Sequence, residues 1–206
     1  GGRPSATFLS DWPTTTSERS SPGDAETVTV RRDPDTGLEV RTTARRFGRY
    51  GALDWVVEFT NTGACDSPIL ENILPLDVTV PLGTYDSLRL HHANGSLFLM
   101  DDFMPYSAMI MPGDNRRIAP RGGRSSSGAL PFMSLQGPED GVVLAIGWSG
   151  QWAATIERSA KELTLRAGME RTRLYLQPGE RIRTPRILVL PWPGKDADLG
   201  NNLLRR

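Results

Sequence analysis

This sequence lacks the features that cross-link a protein chain, give it a net charge or anchor it in a membrane. Cys65 is the only cysteine in 206 residues, which excludes an intrachain disulfide and a cysteine-based zinc site. The 24 Lys and Arg residues equal the 24 Asp and Glu residues, so the chain lacks the excess positive charge typical of nucleic-acid binders. The longest apolar run, residues 142–146, is far too short to cross a bilayer. We therefore expect neither nucleic acid nor membrane as a partner.

The common catalytic signatures are missing as well. The sequence has no glycine-rich loop ending in Gly-Lys-Ser/Thr and no His-Glu-x-x-His motif. His91 and His92 are the only histidines, and adjacent residues on a strand point to opposite faces, so the two would not ligate one metal together. Gly147-Trp148-Ser149-Gly150 is one residue short of a nucleophile elbow. We expect no metal site, no organic cofactor and no Ser-His-Asp triad.

Turns and alternating residues are what the sequence does contain. Glycine (21) and proline (16) exceed their usual combined share of about 12% of a chain. Apolar and polar residues alternate from residue 25 onward, and Asp33 to Gly37 has the composition of a tight turn between the first two strands. Further strands are predicted at residues 53–59, 69–80 (one long strand or two), 88–92, 97–100, 130–135, 142–148, 152–156, 163–169, 172–176 and 181–190. This pattern predicts an all-β fold, a large antiparallel β-sandwich.

The composition divides the chain into three parts. Residues 1–24 have few periodic apolar residues and are expected to be a flexible N-terminal segment. Residues 25–194 form the predicted sandwich. Residues 195–206 are expected to be a linker in which Asp198 caps the start of a helix.

One stretch interrupts the regular alternation. Asn94-Gly95 is predicted to be the turn of a hairpin between residues 88–92 and 97–100. Residues 101–128 follow, with several methionines and prolines and a Gly/Ser-rich run, and they are expected to form a long irregular loop. A loop of this length in a compact domain is usually functional or mobile.

Four features could form a carbohydrate surface: Trp148, Trp152, the turn Asp101-Asp102-Phe103 and the polar run 123–127. Carboxylates accept sugar hydroxyls and aromatic rings stack on sugar faces, so Asp101, Asp102, Phe103 and Trp152 are candidate substrate contacts, with the polar run 123–127 beside them. A glycosidase needs two carboxyl groups about 5–9 Å apart, and neighbouring Asp101 and Asp102 fit a solvated turn better than such a pair. Trp148 is predicted to be a core residue. For Trp152 the core and the sugar surface remain equally open.

The order of several motifs resembles a known family, the N-terminal β-sandwich domain of glycoside hydrolase family 36, the α-galactosidase-like enzymes. The resemblance covers residues 25–206. It rests on Asn94-Gly95-Ser96, Asp101-Asp102-Phe103, the runs 122–128 and 145–152, Ala167-Gly168-Met169-Glu170 and Asn202-Leu203-Leu204-Arg205-Arg206.

The resemblance implies a large β-supersandwich ahead of a catalytic (β/α)₈ barrel, which carries the two aspartates of a retaining mechanism. The barrel is not in this sequence, so no catalytic residue maps onto it and the segment alone is expected to be inactive. The family's Asp-Phe step, which helps to hold a terminal galactose, resembles Asp102-Phe103 here, with Asp101 beside it. The implied partners are the barrel of the same parent chain, an α-galactoside and further copies in a homo-oligomer.

A free-standing carbohydrate-binding or protein-interaction sandwich is the alternative. The compartment is open: the sequence fits a soluble protein of the bacterial cytoplasm or a secreted one, and no signal peptide is visible in this segment.

Overall fold

Alternating side chains form strands along most of the chain. The computed structural model describes residues 2–83 and 87–206. Two short 3₁₀ turns, Ser5–Thr7 and Leu9–Asp11, come first, and the helix α1, Ala197–Leu204, comes last. Between them the described strands are β1 Thr14–Ser21, β2 Asp24–Arg32, β3 Leu38–Phe47, β4 Ala52–Asn61, β5 Leu70–Glu71, β6 Leu76–Pro81, β7 Arg89–Ala93, β8 Pro105–Met109, β9 Asn115–Ile118, β10 Phe132–Gln136, β11 Asp140–Gly147, β12 Trp152–Arg158, β13 Glu162–Met169, β14 Arg173–Leu174, β15 Arg181–Arg183 and β16 Arg186–Pro193.

The strands form two main sheets, in which every described pairing is antiparallel. The large sheet has the order β1-β2-β3-β4-β16-β11-β10-β7-β8, with β15 also paired to β4. The smaller sheet has the order β6-β13-β12-β9, and β5 pairs with β14 separately. The predicted all-β antiparallel sandwich is confirmed.

The main core lies between the two sheets. The large sheet contributes Leu144 and Ile146 of β11, and the small sheet contributes Ala154 and Ile156 of β12; all four side chains are almost fully buried. In β12 they alternate with less buried neighbours, whereas in β11 the neighbouring Val143 is buried on the opposite face of the sheet. Burial of side chains of this kind stabilises the fold by about 1.5–3 kcal/mol for each larger one.

A second, smaller core lies on the outer face of the large sheet. Val143, Leu190 and Trp192 are buried there, and Leu203 and Leu204 of α1 pack against them. The side chain of Asp196 caps α1 by accepting a hydrogen bond from the backbone N–H of Asp198, 3.0 Å away. The cap is therefore two residues earlier than the predicted Asp198.

The first strand was not predicted. β1 lies within residues 1–24 and pairs with β2 along its whole length, from Thr14 opposite Arg31 to Ser21 opposite Asp24. All of its residues are exposed, and their side chains are Thr, Ser, Glu and Arg. An edge strand without a buried face has no apolar alternation, so the signal used elsewhere in the chain is absent here.

Other strand predictions need correction. The stretch 69–80 is two strands, β5 and β6, which is one of the two predicted forms. Residues 97–100 are not a strand, and residues 101–128 are not wholly irregular, because they contain β8 and β9. The stretch 181–190 is split into β15 and β16 at Thr184-Pro185. No helix in the described residues has the length and apolar character needed to span a membrane.

Candidate functional site

The connection between β7 and β8, residues 94–104, is the most distinctive surface feature of the described chain; we call it the tip loop. Its base is closed where Ala93 pairs with Pro105 and where the N–H of Asn94 donates to the carbonyl of Met104 at 3.0 Å. The partner strand of β7 is therefore β8, and the predicted hairpin around Asn94-Gly95 is wrong.

Gly95 has a different task from the predicted one. It is buried, and a Cβ placed on it would stand 1.8 Å from the carbonyl oxygen of Ser126. The N–H of Ser96 donates to that same oxygen at 2.9 Å. Glycine is needed here because two backbones approach closely, and this contact joins the tip loop to residues 121–128, which we call the glycine-rich loop.

The carboxylate of Asp102 holds the tip loop together from inside. Oδ1 accepts the N–H of Leu97 at 2.8 Å. Oδ2 accepts the hydroxyl of Ser96 at 2.7 Å and the N–H of Phe98 at 3.0 Å. The Leu97 N–H, followed by the Ser96 hydroxyl, holds the pKa of Asp102 below its ordinary value, because both bonds favour the charged form.

Asp101 faces the base of the same loop and is more exposed. Its Oδ2 and its backbone carbonyl each accept the side-chain amide of Asn94 at 3.0 Å, and that amide also lies 3.3 Å from the hydroxyl of Tyr106. The side-chain amide of Asn94 is thus occupied by hydrogen bonds within the loop. The two aspartates therefore bind different parts of the loop: Asp101 binds Asn94 at the base, and Asp102 binds residues 96–98 at the tip.

The tip itself is apolar and exposed to solvent. The exposed fraction is 91% for Phe98 and 105% for Met100, and Leu97, Leu99 and Phe103 are also exposed. Soluble monomers rarely expose so many neighbouring apolar side chains, and such patches mark interaction sites. Sequence reasoning missed residues 97–100 as a functional segment because four apolar residues after a turn were interpreted as a strand.

The glycine-rich loop supports the tip loop from below. The N–H of Gly123 donates to Oε1 of Gln151 at 2.9 Å, and Nε2 of Gln151 donates back to the carbonyl of Pro120. Gly122 and Gly123 have φ of 65° and 77°, a conformation that glycine adopts without strain. The run 123–127 is therefore held in place by hydrogen bonds to the rest of the domain.

Trp152 makes one of these hydrogen bonds. Its side chain is 0% exposed within the main core, and its Nε1 donates to the carbonyl of Ser125 at 2.8 Å. A fully buried ring offers no face to a sugar, so its predicted role as a substrate contact is contradicted and the core alternative holds. Trp148 packs at the edge of the same core, with the guanidinium of Arg183 5.4 Å from its ring centre.

The histidines and carboxylates form no metal site in residues 2–83 and 87–206, since no cluster of three or more such ligands occurs there. Nε2 of His91 lies 2.8 Å from Oε1 of Gln136. The ring of His92 stacks on Tyr106 with ring centres 5.4 Å apart, and burial lowers the pKa of His92. Both histidines have structural roles in the described chain.

A second surface starts beside the tip loop, on the outer face of the large sheet. The strand register places one residue from each of seven strands in a single row, which we call the outer row: Phe132, Ala145, Leu188, Asp54, Arg45, Glu26 and Arg19. Its first three members are apolar, and Phe132 is 41% exposed. The rest are charged, with Arg45 and Glu26 2.7 Å apart and Asp54 bound to Arg186 at 2.8 Å. The row therefore changes from apolar to ionic across the sheet.

Comparison with known proteins identifies the family of this fold. A family model described as the glycosyl hydrolase family 36 N-terminal domain matches residues 4–175. A comparison with curated proteins gives no match.

Solved structures of similar fold include several glycoside hydrolases. An α-galactosidase from Lactobacillus brevis is 16% identical with a TM-score of 0.69, and the match covers 89% of this chain and 26% of that one. The family 36 α-galactosidase AgaA from Geobacillus stearothermophilus is 21% identical with a TM-score of 0.67, covering 94% and 27%. AgaA variants were solved with stachyose and with raffinose.

A third structure carries a different substrate name. The α-N-acetylgalactosaminidase NagBb from Bifidobacterium bifidum is 11% identical with a TM-score of 0.55, covering 94% of this chain and 30% of that one. At these identities the likenesses show the fold. This chain spans about a quarter to a third of the length of the three enzymes.

Proposed function

Because this chain belongs to the family of glycosyl hydrolase family 36 N-terminal domains, we propose that it is the non-catalytic sandwich domain of a retaining α-galactosidase-like enzyme. In this proposal it packs on a catalytic (β/α)₈ barrel of the same parent chain and supplies one wall of the pocket for a terminal galactose. The barrel would carry the chemistry, without a metal or organic cofactor. The parent would be a homo-oligomer.

The exposed apolar tip is the observation that carries this proposal. Phe98 and Met100 are almost fully exposed, yet the loop beneath them is bonded to its own base and to the glycine-rich loop. A segment that is both apolar and held in place suits contact with another folded surface, because little ordering entropy is lost on docking.

The outer row supports the packing part of the proposal. Phe132 lies near the base of the tip loop, since the N–H of Leu130 donates to the carbonyl of Ala93 at 3.1 Å. From Phe132 the apolar part of the row runs through Ala145 to Leu188, beside the surface that α1 covers. A barrel resting on this strip would bury Phe132 and come within reach of the tip.

Two exposed residues of the tip loop suit a pocket wall. Asp101 is exposed, and its carboxylate can accept a sugar hydroxyl beside the bond from Asn94; the ring of Phe103 is 61% exposed. Asp102 lies between them and contributes to the same wall. The proposed substrates are terminal α-galactosides, the class named for the relatives with this fold.

Titration of this chain with galactose and raffinose, beside an α-galactosidase assay on the same sample, tests the proposal. Neither binding nor turnover is expected, since the wall needs its barrel. Turnover by this chain alone would overturn the proposal. Binding without turnover would instead support the alternative, a free-standing carbohydrate-binding module.

Kinetics of the parent enzyme provide the second test. Replacing Asp101 or Phe103 by Ala is expected to raise KM at least about tenfold, the effect of losing one good polar or stacking contact. Asp66→Ala is the matched control, since Asp66 is exposed in a connection away from the tip loop. If Asp101→Ala and Phe103→Ala leave kcat/KM at the level of Asp66→Ala, the loop does not line the pocket.

A further inference from the structure

We propose that Asp102 is the positioning residue of the tip loop: its carboxylate fixes the backbone that presents Phe98 and Met100 to the surface on which the domain docks. The positioning itself is a property of this chain, whereas its use against a barrel rests on the proposed function.

The hydrogen bonds of Asp102 are directed inward. Its two oxygens accept from Ser96, Leu97 and Phe98, three consecutive residues of its own loop, at 2.7–3.0 Å. Its backbone N–H donates to the carbonyl of Leu99 at 3.2 Å, which closes the turn that carries the tip. A carboxylate that gathers consecutive donors in this way replaces the strand pairing that the loop lacks.

The backbone around Asp102 needs such an anchor. Phe98 and Phe103 both have φ of 61°, in the left-handed region that bulky residues rarely adopt. Residues in this region persist only where the surroundings determine them, and they concentrate at functional sites. Asp102 accepts the N–H of Phe98, so its side chain holds the first of these strained positions, and the second follows it directly in the chain.

The start of the tip is fixed by the same arrangement. Ser96 is fixed on two sides, since its N–H donates to the carbonyl of Ser126 and its hydroxyl donates to Asp102. The side chains of Phe98 and Met100, which follow it, are exposed to solvent. The three donors to Asp102 keep its carboxylate ionised and turned toward the loop, while the side chains most exposed at the tip, Phe98 and Met100, are apolar.

Amide hydrogen exchange on this chain tests the positioning. Asp102→Asn keeps the shape of the side chain but turns an amide group toward the donors, and exchange at Leu97 and Phe98 is expected to accelerate about tenfold, the effect of losing a charge-assisted bond. Asp101→Asn is the matched control and should change those two rates less than about twofold, since Asp101 binds only the base. Unchanged exchange at Leu97 and Phe98 in Asp102→Asn would overturn the proposal.

A pH titration of the unmodified chain gives a readout that needs no variant. The N–H signals of Leu97 and Phe98 should shift as the pH falls through the lowered pKa of Asp102, because protonation removes the charge that strengthens both hydrogen bonds. Asp101→Asn removes the neighbouring carboxylate, and the same titration in this variant should keep the transition. If these signals show no transition in either protein, the carboxylate does not hold the loop.

The parent enzyme separates this inference from the proposed function. If both hold, Asp102→Asn raises KM while kcat changes little, and Asp102→Glu does not restore KM because the longer side chain displaces the carboxylate. If exchange accelerates but KM is unchanged, the positioning stands and the pocket wall fails. If KM rises while exchange is unchanged, Asp102 contacts the sugar directly and the positioning role is wrong.

Discussion

Gly200 of α1 faces the indole of Trp192 so closely that a Cβ at position 200 would lie 2.5 Å from both Cδ1 and Nε1 of the ring. On another side of the ring, a Cβ at Gly141 would lie 2.2 Å from Cζ2. The indole thus occupies a slot formed by two glycines, one in the sheet and one in the helix. Trp192 cannot move away from a larger residue at position 200, and this determines where α1 sits.

Gly200→Ala is therefore expected to destabilise the domain by about 2 kcal/mol, since overpacking outweighs the better helix propensity of Ala. The measurement is the free energy of unfolding in urea. Asn201→Ala, at an exposed position of the same helix, controls for propensity and should be neutral or slightly stabilising. A Gly200→Ala variant as stable as the control would mean that α1 does not pack on Trp192.

Ser134→Ala is expected to stabilise the domain by about 1 kcal/mol. Its hydroxyl is buried, and within the described residues no hydrogen-bond partner lies in reach of it, so its removal relieves a desolvation cost. Ser67 is the matched control. Its buried hydroxyl accepts the N–H of Leu176 at 2.9 Å, so Ser67→Ala should cost about 1 kcal/mol. Chemical denaturation of both variants measures the change in the free energy of unfolding. If Ser134→Ala lost as much stability as Ser67→Ala, the prediction for Ser134 would be wrong.

Trp152→Ala is expected to cost about 3–5 kcal/mol of folding stability, because it opens a large cavity in the main core and leaves the carbonyl of Ser125 unpaired. Phe103→Ala, which trims an exposed ring, should change stability by less than about 0.5 kcal/mol. Thermal and chemical unfolding give the comparison. Similar stabilities for the two variants would argue against the burial of Trp152.

His92 should make folding stability sensitive to mild acid. Burial lowers the pKa of His92 in the folded state, so the unfolded chain binds the proton more tightly. The stability that neutral His92 contributes to the folded state is fully present above its unfolded pKa of about 6.5. It is lost as the pH falls through the lower pKa of the folded state. His92→Phe keeps a ring against Tyr106 and should lose less stability than the unsubstituted protein between pH 7.5 and pH 5.5. Identical pH profiles would contradict this.

The sequence was sufficient to predict the strands that have one buried face. The turn after β2 is an example: Asp33 accepts the hydroxyl of Thr36 at 2.6 Å, and Gly37 has φ of 76°, as the residue types predict. The end of β4 is another, since Oδ1 of Asn61 accepts the N–H of Gly63 at 2.9 Å. In both places the information is local, so a few residues are enough.

The tip loop could not be predicted in the same way, because distant residues determine it. Asn94-Gly95 has the composition of a hairpin turn, but Gly95 is there to accommodate Ser126, a contact across more than thirty positions that residue types do not reveal. Trp152 was undecided for a related reason, since its burial depends on a second sheet. Asp101, Asp102 and Phe103 do lie in one loop, and their role as substrate contacts stays a prediction; the different hydrogen bonds of the two aspartates required the geometry.

The position of β16 in the large sheet has a consequence for synthesis. β4 ends at Asn61 and β11 at Gly147, yet the two meet only through β16, whose residues leave the ribosome near the end of the domain. At ordinary translation rates β4 waits roughly ten seconds for this neighbour. During that interval the edge of β4 is open, and the edge of β11 is open as well once residue 147 has been made; such edges can pair with other chains. Covering these edges with a chaperone until β16 is made is therefore expected to raise the yield of folded domain.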